Sequence, residues 1–289
     1  MKSIGRLGVW MFPDALSVRE IAELARDAER LEYDALWYPE GVGYETFGFG
    51  GFILSETDRL IVASGIANIY ARDAVTAMAG HDTLNKLYGD RFVLGLGVSH
   101  IPLVEGFRGH SYGKPVATMR AYLDAMEAAQ FSFSVAERNV VLAALGPNML
   151  ALARDRSKGA HPYLVTPEHT ARAREILGPD AWLCVEQKVC LTSDTTQARD
   201  IAASVLELYL MLPNYRNNWL SLGFGEEELS GRGSDRFLDA MVASGNAAEI
   251  CARLRAHFDA GADHVCVQPL NPDGSGSVDW NALEAAAEV

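Results

Sequence analysis

An apolar stretch with two glycines, residues 92–98 (FVLGLGV), constrains the fold of this chain more than any other feature. Such a run is typical of a strand that is buried on both faces, as in parallel sheets. Gly95 and Gly97 lie on the same face of that strand and leave room for a close neighbour. The run ends in Ser99 and His100, and in a parallel barrel the chemistry takes place at this carboxyl end. The alternative is a core strand whose glycines only fit a tight position in the barrel.

Strand and helix signals alternate along the chain. The predicted strands cover residues 6–12, 33–38, 60–69, 91–100, 139–145, 162–165, 182–191 and 264–270. Helix starts between them are marked by capping boxes at Ser17 and Asn246, and by Thr166 before Pro167. Eight strands alternating with helices predict an α/β fold, a (β/α)8 TIM barrel formed by residues 1–289 as a single domain. Residues 213–245 interrupt the alternation and predict an insertion after the seventh strand.

Composition limits the partners. The chain carries a formal net charge of −13 and no cluster of basic residues, which argues against nucleic acid or an anionic membrane as a partner. A small-molecule substrate is expected instead.

The four cysteines lack the spacing of a disulfide framework or a zinc site, so buried thiols and no metal site are predicted. No apolar stretch has the length of a signal peptide or a membrane span, and we expect a cytoplasmic protein.

The carboxyl ends of the predicted strands bring a mixed set of side chains to one rim of the barrel. These side chains are aromatic and apolar with few charges, which suits a flat heteroaromatic ring. The set comprises Trp10, Phe12, Glu40, Gly65, Ile66, Asn68, Ser99, His100, Thr166, Lys188 and Gln268.

Proton transfer has two candidates on this rim. His100 titrates near neutral pH and lies at a strand end. The alternative for it is an ordinary hydrogen-bonded loop histidine. Glu40 ends the second strand, where it either contacts a ring or ribityl hydroxyl or is a solvated loop carboxylate.

Other segments complete the predicted pocket. Residues 41–52 form a glycine-rich loop with aromatic side chains, which suits a lid over a hydrophobic pocket or packs against the rim. The insertion either shapes substrate specificity or forms a homodimer surface. The predicted substrate pocket comprises Tyr44, Phe47, Thr166, Lys188, Trp219 and Gln268.

The turn after the fifth strand joins small residues to a helix amino terminus, where free N–H groups favour a phosphate. It consists of Ala143, Ala144, Leu145, Gly146 and Pro147. A plain strand-to-helix connection has the same sequence character.

Hydrolase and kinase motifs are absent, since the sequence has no GxSxG, HExxH or P-loop. In order and spacing, other segments resemble the bacterial luciferase-like superfamily, in particular its deazaflavin branch, the coenzyme F420-dependent oxidoreductases. These segments are RLGVWMF, YDALWYPEG, ASGIANIYARDAVTAMAGHDTL, YGDRFVLGLGVSH, VVLAALGPNML and GADHVCVQPL.

The resemblance implies that a flavin-type ring lies in the mouth of the barrel. A non-proline cis peptide, here matched by Gly65-Ile66, would back the central ring. Gly97, Val98 and Ser99 would line the edge of the ring, and the turn 143–147 would hold the diester phosphate of the cofactor.

Matching to the family also assigns the remaining site positions. Glu40 corresponds to the acidic or polar residue that ends the second strand. His100 stands where sugar-phosphate dehydrogenases of the family have a catalytic glutamate, and Gly41 replaces their histidine. A glucose-6-phosphate dehydrogenase activity is therefore not expected.

The implied reaction is hydride transfer between C5 of the deazaflavin and a substrate carbon, with the protein supplying orientation and a proton donor or acceptor. His100 is the first candidate for that proton, with Glu40 or Tyr44 as substitutes. One alternative is an FMN-dependent monooxygenase of the same superfamily. Another is a non-catalytic barrel that binds the deazaflavin.

Overall fold

Parallel strands close into a barrel in the computed structural model, which describes residues 3–133 and 135–289. The last strand pairs with both the first strand and β8, so the ring of eight strand positions is complete, as predicted. The strands are β1 (Leu7–Trp10), β2 (Ala35–Tyr38), β3 (Ile61–Ser64), β4 (Ala67–Asn68), β5 (Phe92–Gly97), β6 (Val140–Leu142), β7 (Gly159–Ala160), β8 (Trp182–Leu191), β9 (Val242–Gly245) and β10 (His264–Pro269).

Helices surround this barrel, and their local start signals are the predicted ones. Ser17 and Asn246 each form a complete capping box, and Thr166 caps a helix that begins at Pro167. A short π-helix, Pro102–Phe107, follows β5. The α-helices are α1 (Val18–Arg30), α2 (Thr46–Ser55), α3 (Ala74–Tyr88), α4 (Pro115–Ala128), α5 (Pro147–Arg156), α6 (Pro167–Leu177), α7 (Thr195–Leu210), α8 (Pro213–Ser221), α9 (Asp235–Met241), α10 (Ala247–Asp259) and α11 (Trp280–Ala286). No helix in the described ranges combines the length and the apolar character needed to span a bilayer.

The insertion predicted for residues 213–245 is structured rather than irregular. It contains α8 and α9, and it ends in β9, which pairs in parallel with Lys188–Leu191 at the carboxyl end of β8. The buried side chains of α8 and α9 pack in a separate apolar cluster with those of α7. This cluster lies beside the carboxyl-terminal mouth of the barrel and lengthens its wall.

Predictions for two segments were wrong. The predicted glycine-rich loop 41–52 is helical from Thr46, because Phe49, Ile53 and Leu54 find apolar partners in the layer between barrel and helices. The sixth barrel strand is β7, Gly159–Ala160, rather than residues 162–165. A two-residue strand is too short to give a periodic signal.

Glycine is required at Gly95 because another strand lies against it. Apolar side chains of β5 alternate between the helix-facing layer and the barrel interior, where Val93 packs. Gly95 and Gly97 lie on the same, interior face of the strand as Val93. A Cβ on Gly95 would lie 2.0 Å from the carbonyl oxygen of Ser64. The close neighbour of Gly95 is therefore the end of β3. This agrees with the alternative that the glycine only fits a tight position in the barrel.

The side chain of Ser64 takes over the pairing between β3 and β5 at this point. Its hydroxyl donates to the carbonyl of Gly95 over 2.9 Å and accepts from the amide of Gly95 over 3.0 Å. The chain can then leave the ladder at Gly65 and Ile66 before β4 pairs with β5 again. The predicted third strand, residues 60–69, is thus split by a bulge.

We predict that Gly95→Ala destabilises the protein, because the added methyl group has to push β3 away from β5. Overpacking of this kind costs about 1–3 kcal/mol. Gly41→Ala is the matched control, since it lies outside helices and strands and a Cβ there meets no atom within 4 Å. Urea unfolding of both variants measures the effect, and equal free energies of unfolding would contradict the proposed close contact.

Candidate active site

The bulge between β3 and β4 contains a cis peptide bond at Gly65-Ile66, as the resemblance implied. Main-chain hydrogen bonds fasten it to the end of β2: Gly65 N–H donates to Tyr38 O over 2.7 Å, and Glu40 N–H donates to Ile66 O over 3.0 Å. The bulge is therefore a fixed part of the barrel mouth.

Aromatic side chains fill the barrel interior behind this bulge. A Cβ on Gly65 would lie 2.7 Å from Nε1 of Trp10 and 2.9 Å from Nε2 of His161, so a larger residue does not fit. Both nitrogens are buried without a hydrogen-bond partner in the described ranges. Trp10, predicted to contact the cofactor, thus lies beneath Gly65.

Histidines in this interior are neutral. His161 donates from Nδ1 to Cys184 O over 2.8 Å and stacks on Trp37, which itself donates to Nε2 of His264 over 3.0 Å. Burial lowers the pKa of His161 and of His264 to about 4 in each case. The unfolded chain takes up these protons at a higher pH, so both residues lower the stability as pH falls from about 6.5 towards 4.

The predicted ring-edge residues meet across β5. A Cβ on Gly97 would lie 2.5 Å from the Ile66 side chain and 3.4 Å from Cβ of Ala143, so the bulge, β5 and the turn after β6 converge at this glycine. Ser99 adopts a left-handed conformation with φ 56°. Residues other than glycine that are held in this region frequently lie at functional sites.

Other predicted rim residues differ in accessibility. Val98, Ser99 and His100 are half-buried, whereas Asn68 is buried and accepts from Tyr70 N–H over 2.9 Å. The side-chain oxygen of Asn68 is therefore used to hold the main chain after β4.

The turn before α5 has an open donor end. Helix α5 begins at Pro147, which has no N–H, and no side chain caps its first turn, so among the described residues the N–H of Asn148 is left without a partner there. A Cβ on Gly146 would meet nothing within 4 Å, and Ala144 is buried beneath the turn. Leu145 fixes the turn, because its carbonyl accepts a hydrogen bond from Nε2 of His169 over 2.9 Å. The arrangement is suited to an anionic group, as predicted for Ala143 to Pro147.

His100 lies at the carboxyl end of β5, where it faces the insertion. Its ring is 5.7 Å from that of Tyr215. Burial lowers the pKa of His100 below its ordinary value, while the nearby Asn214 side chain opposes that shift. A neutral, half-buried imidazole at the mouth can accept or donate a proton near neutral pH.

Glu40 is held in a fixed ion pair. Arg72 donates to both carboxylate oxygens, and the main-chain N–H groups of Thr46 and Asn68 add bonds of 3.2 and 2.8 Å. The carboxylate is 7 % exposed and joins the loop after β2, the start of α2 and the bulge. With every oxygen engaged, it positions these segments rather than offering a free group for proton transfer.

Three side chains predicted for the substrate pocket pack elsewhere. Tyr44 and Phe47 contact the layer between barrel and helices, where the Phe47 ring lies against Gly80 of α3. Trp219 is fully buried and donates from Nε1 to Leu164 O over 3.2 Å. The first two pack in this way because part of the predicted loop is a helix, and Trp219 does so because the insertion has its own core.

A buried polar cluster occupies the mouth at β8 and β10. Lys188 donates from Nζ to Tyr163 Oη over 2.8 Å, to Gln268 Oε1 over 2.8 Å and to Glu186 Oε1 over 3.1 Å. Glu186 also accepts from Leu164 N–H over 3.1 Å. The three acceptors match the three N–H groups of an ammonium. Burial lowers the pKa of Lys188 and raises that of Glu186, and each partner opposes the shift of the other.

Tyrosines extend this cluster towards the insertion. Tyr163 Oη lies 3.0 Å from Gln268 Oε1 and 3.3 Å from Tyr209 Oη, and its ring is 4.9 Å from Trp10. Tyr215 packs 5.1 Å from Tyr209 and so connects the cluster to His100. Going around the mouth in space, the residues that bound it are therefore Gly65, Gly97, His100, Tyr215, Tyr209, Lys188 and Trp10.

The sequence prediction missed Glu186, Tyr163 and Tyr209. Glu186 could have been found, because its position two residues before Lys188 places both side chains on the same face of a strand. Tyr163 was assigned to a strand that does not form, and Tyr209 comes from α7. Thr166, also predicted for the pocket, is the buried cap of α6. Among the described residues, no group of three potential metal ligands lies together, and the four cysteines are buried and free.

Comparison with known proteins places the chain in a family. The family model of the luciferase-like monooxygenases matches residues 4–264. The chain belongs to the luciferase-like monooxygenase family. The resemblance recognised in the sequence motifs is therefore confirmed.

One of two similar proteins is named for coenzyme F420. A Mycobacterium tuberculosis protein named as a coenzyme F420-dependent oxidoreductase is 32% identical over 119 residues, which are 41% of this chain and 33% of that protein. This match thus spans only about a third of its length. The 5,10-methylenetetrahydromethanopterin reductase of Methanolobus tindarius is 22% identical over 89% of this chain and 92% of its own.

A solved structure has the same fold. An F420-dependent secondary alcohol dehydrogenase, determined with an F420-acetone adduct, superposes with a TM-score of 0.75. It is 13% identical and covers 100% of this chain and 98% of its own. At this identity the likeness establishes the fold alone.

We predict that Lys188→Met lowers the free energy of unfolding by about 3–5 kcal/mol, because Glu186 is left buried without its cation. The double variant Glu186→Gln/Lys188→Met removes both charges and should recover more than half of this loss. Urea unfolding of the three proteins measures both effects. A single variant as stable as the unmodified protein would contradict the buried ion pair.

Proposed function

We propose that this protein is an F420-dependent oxidoreductase that transfers a hydride between C5 of the deazaflavin and a small organic substrate. The observation that carries the proposal is the arrangement of the bulge at Gly65-Ile66 beside Gly97 and the turn that precedes α5. The family membership and the F420-dependent relatives support the choice of cofactor.

The residues at the mouth fit a deazaflavin. The bulge and the close-packed Gly97 leave a wall of main chain and small side chains, against which a flat ring can lie. The free N–H of Asn148 at the start of α5, with open space at Gly146, suits the phosphodiester of its side chain. When bound, F420 accepts or supplies the hydride.

His100 is the residue of this chain best placed to hold the accompanying proton. It lies directly after the ring-edge residues Gly97 to Ser99, and its imidazole packs 5.7 Å from the ring of Tyr215. Because burial keeps its pKa below the ordinary value, His100 is predominantly neutral at pH 7 and is a competent base. Glu40, in contrast, acts by fixing the bulge and α2.

We predict that the purified protein binds coenzyme F420 with micromolar or tighter affinity and does not bind FMN. Main-chain donors at α5 suit a diester, whereas the terminal phosphate of FMN favours cationic or hydroxyl side chains, which the turn Ala143 to Pro147 does not supply. Fluorescence titrations with each cofactor measure this preference. FMN binding alone would instead assign the protein to the oxygen-using monooxygenases. Tight F420 binding without any redox turnover would support a non-catalytic barrel.

We predict that His100→Ala lowers kcat about a hundredfold or more, the range in which general acid–base groups act. The affinity for F420 should change less than about twofold, because the side chain points towards Tyr215 of the insertion. His110→Ala, an exposed histidine farther along the same connection, is the matched control. Unchanged kcat in His100→Ala would remove His100 from the mechanism.

A further inference from the structure

A cavity of about 900 Å³ opens beside the barrel mouth, between α7 and the segment that follows β10. Its wall is formed in part by apolar side chains of β1 and α7, such as Met11, Phe12, Ile201 and Val205. Gln268 and Tyr209 also belong to this wall, and both contact Tyr163 of the buried cluster. The cavity therefore adjoins the site without overlapping the predicted cofactor residues of β5 and α5.

The buried cluster fixes the orientation of the Gln268 amide. Lys188 has only N–H groups to offer, so the atom it contacts over 2.8 Å has to be Oε1. Tyr163 contacts the same oxygen over 3.0 Å. Nε2 of Gln268 consequently points away from the cluster. It makes no hydrogen bond in the described part of the chain and is not enclosed by protein, although Gln268 is only 6 % exposed.

Tyr209 supplies a second donor on the same wall. Tyr163 receives a hydrogen bond from Lys188 and donates its only hydroxyl hydrogen to Gln268, so Tyr209 is the donor in the 3.3 Å contact between the two hydroxyls. A ligand oxygen in the cavity competes with Tyr163 for this Tyr209 hydrogen. Burial raises the pKa of Tyr209 to about 12, so this hydroxyl keeps its proton at neutral pH. An oxygen with two lone pairs, such as a carbonyl, can accept from both donors.

Charge at the cavity disfavours anions. Its lining includes Asp194, Asp200 and Asp273 but, among the described residues, no lysine, arginine or histidine. Asp200 pairs with Arg232 over 2.5 Å, and Asp194 caps α7, so both carboxylates are fixed in position. A carboxylate or phosphate on the substrate would be repelled.

We propose that this cavity binds the substrate, and that the substrate is an uncharged molecule whose carbonyl oxygen accepts hydrogen bonds from the Gln268 amide and the Tyr209 hydroxyl. The proposal rests on the function proposed above, since it names the substrate class of that reaction. Lys188 and Tyr163 are positioning residues, because they turn the Gln268 amide towards the cavity.

Ligand-observed NMR titration of the cofactor-free protein with 2-octanone, and separately with octanoate, tests the proposal. The two probes share chain length and differ in charge. We expect 2-octanone to bind at least tenfold more tightly than octanoate. Tyr209→Phe and Gln268→Glu, which removes the donor but keeps the acceptor for Lys188, should each weaken 2-octanone binding about three- to tenfold, the value of one hydrogen bond.

Tyr88→Phe, at the end of α3, is the control and should bind 2-octanone as the unmodified protein does. Equal affinity for both probes, equal affinity in Tyr209→Phe, or no binding of 2-octanone to either the free or the F420-saturated protein would overturn the proposal. Because the titration needs no turnover, a protein that binds 2-octanone as expected but not F420 would refute the proposed function and leave the cavity assignment intact.

Discussion

Burial of the Lys188 ammonium is the constraint on which the carboxyl end of the barrel depends. A charge removed from water is tolerated only when it is paired and fully hydrogen-bonded, and Lys188 meets this condition through Glu186, Tyr163 and Gln268. These acceptors come from β8, from β10 and from the segment after β7. One buried charge therefore fixes the relative position of three neighbouring parts of the mouth. It also determines which atom of the Gln268 amide faces outward.

A second constraint operates on the opposite side of the mouth, where main chain rather than charge fills the space. Gly95 lets the end of β3 approach β5, and the Ser64 hydroxyl replaces the ladder hydrogen bonds at that point. The chain is then free to bulge at Gly65 and Ile66 and to pair again through β4. Glu40 and Arg72 hold the bulge from outside. The result is a smooth, rigid wall, which suits a planar ring.

Features encoded locally could be predicted from the sequence, whereas those set by distant partners could not. Ser17, Asn246 and Thr166 mark their helix starts through side chains within three residues, so these starts were found. Helix α2 was missed because its glycines favour a loop, and contacts of Phe49, Ile53 and Leu54 with the barrel layer stabilise it. For Lys188 the rim position was predicted, but its partners are up to 80 residues away.

The two walls of the mouth differ in the pKa values of Tyr209 and His100, and this difference bears on the roles proposed for these residues. Tyr209, with a pKa of about 12, keeps its proton across the physiological range and acts as a constant hydrogen-bond donor. Preorganised donors of this kind stabilise developing charge without reorganisation. His100 is half-buried on a connection rather than a strand, and its pKa lies below the ordinary histidine value. In the proposed reaction, Tyr209 of α7 would therefore supply fixed polarisation, whereas His100 at the end of β5 would exchange the proton.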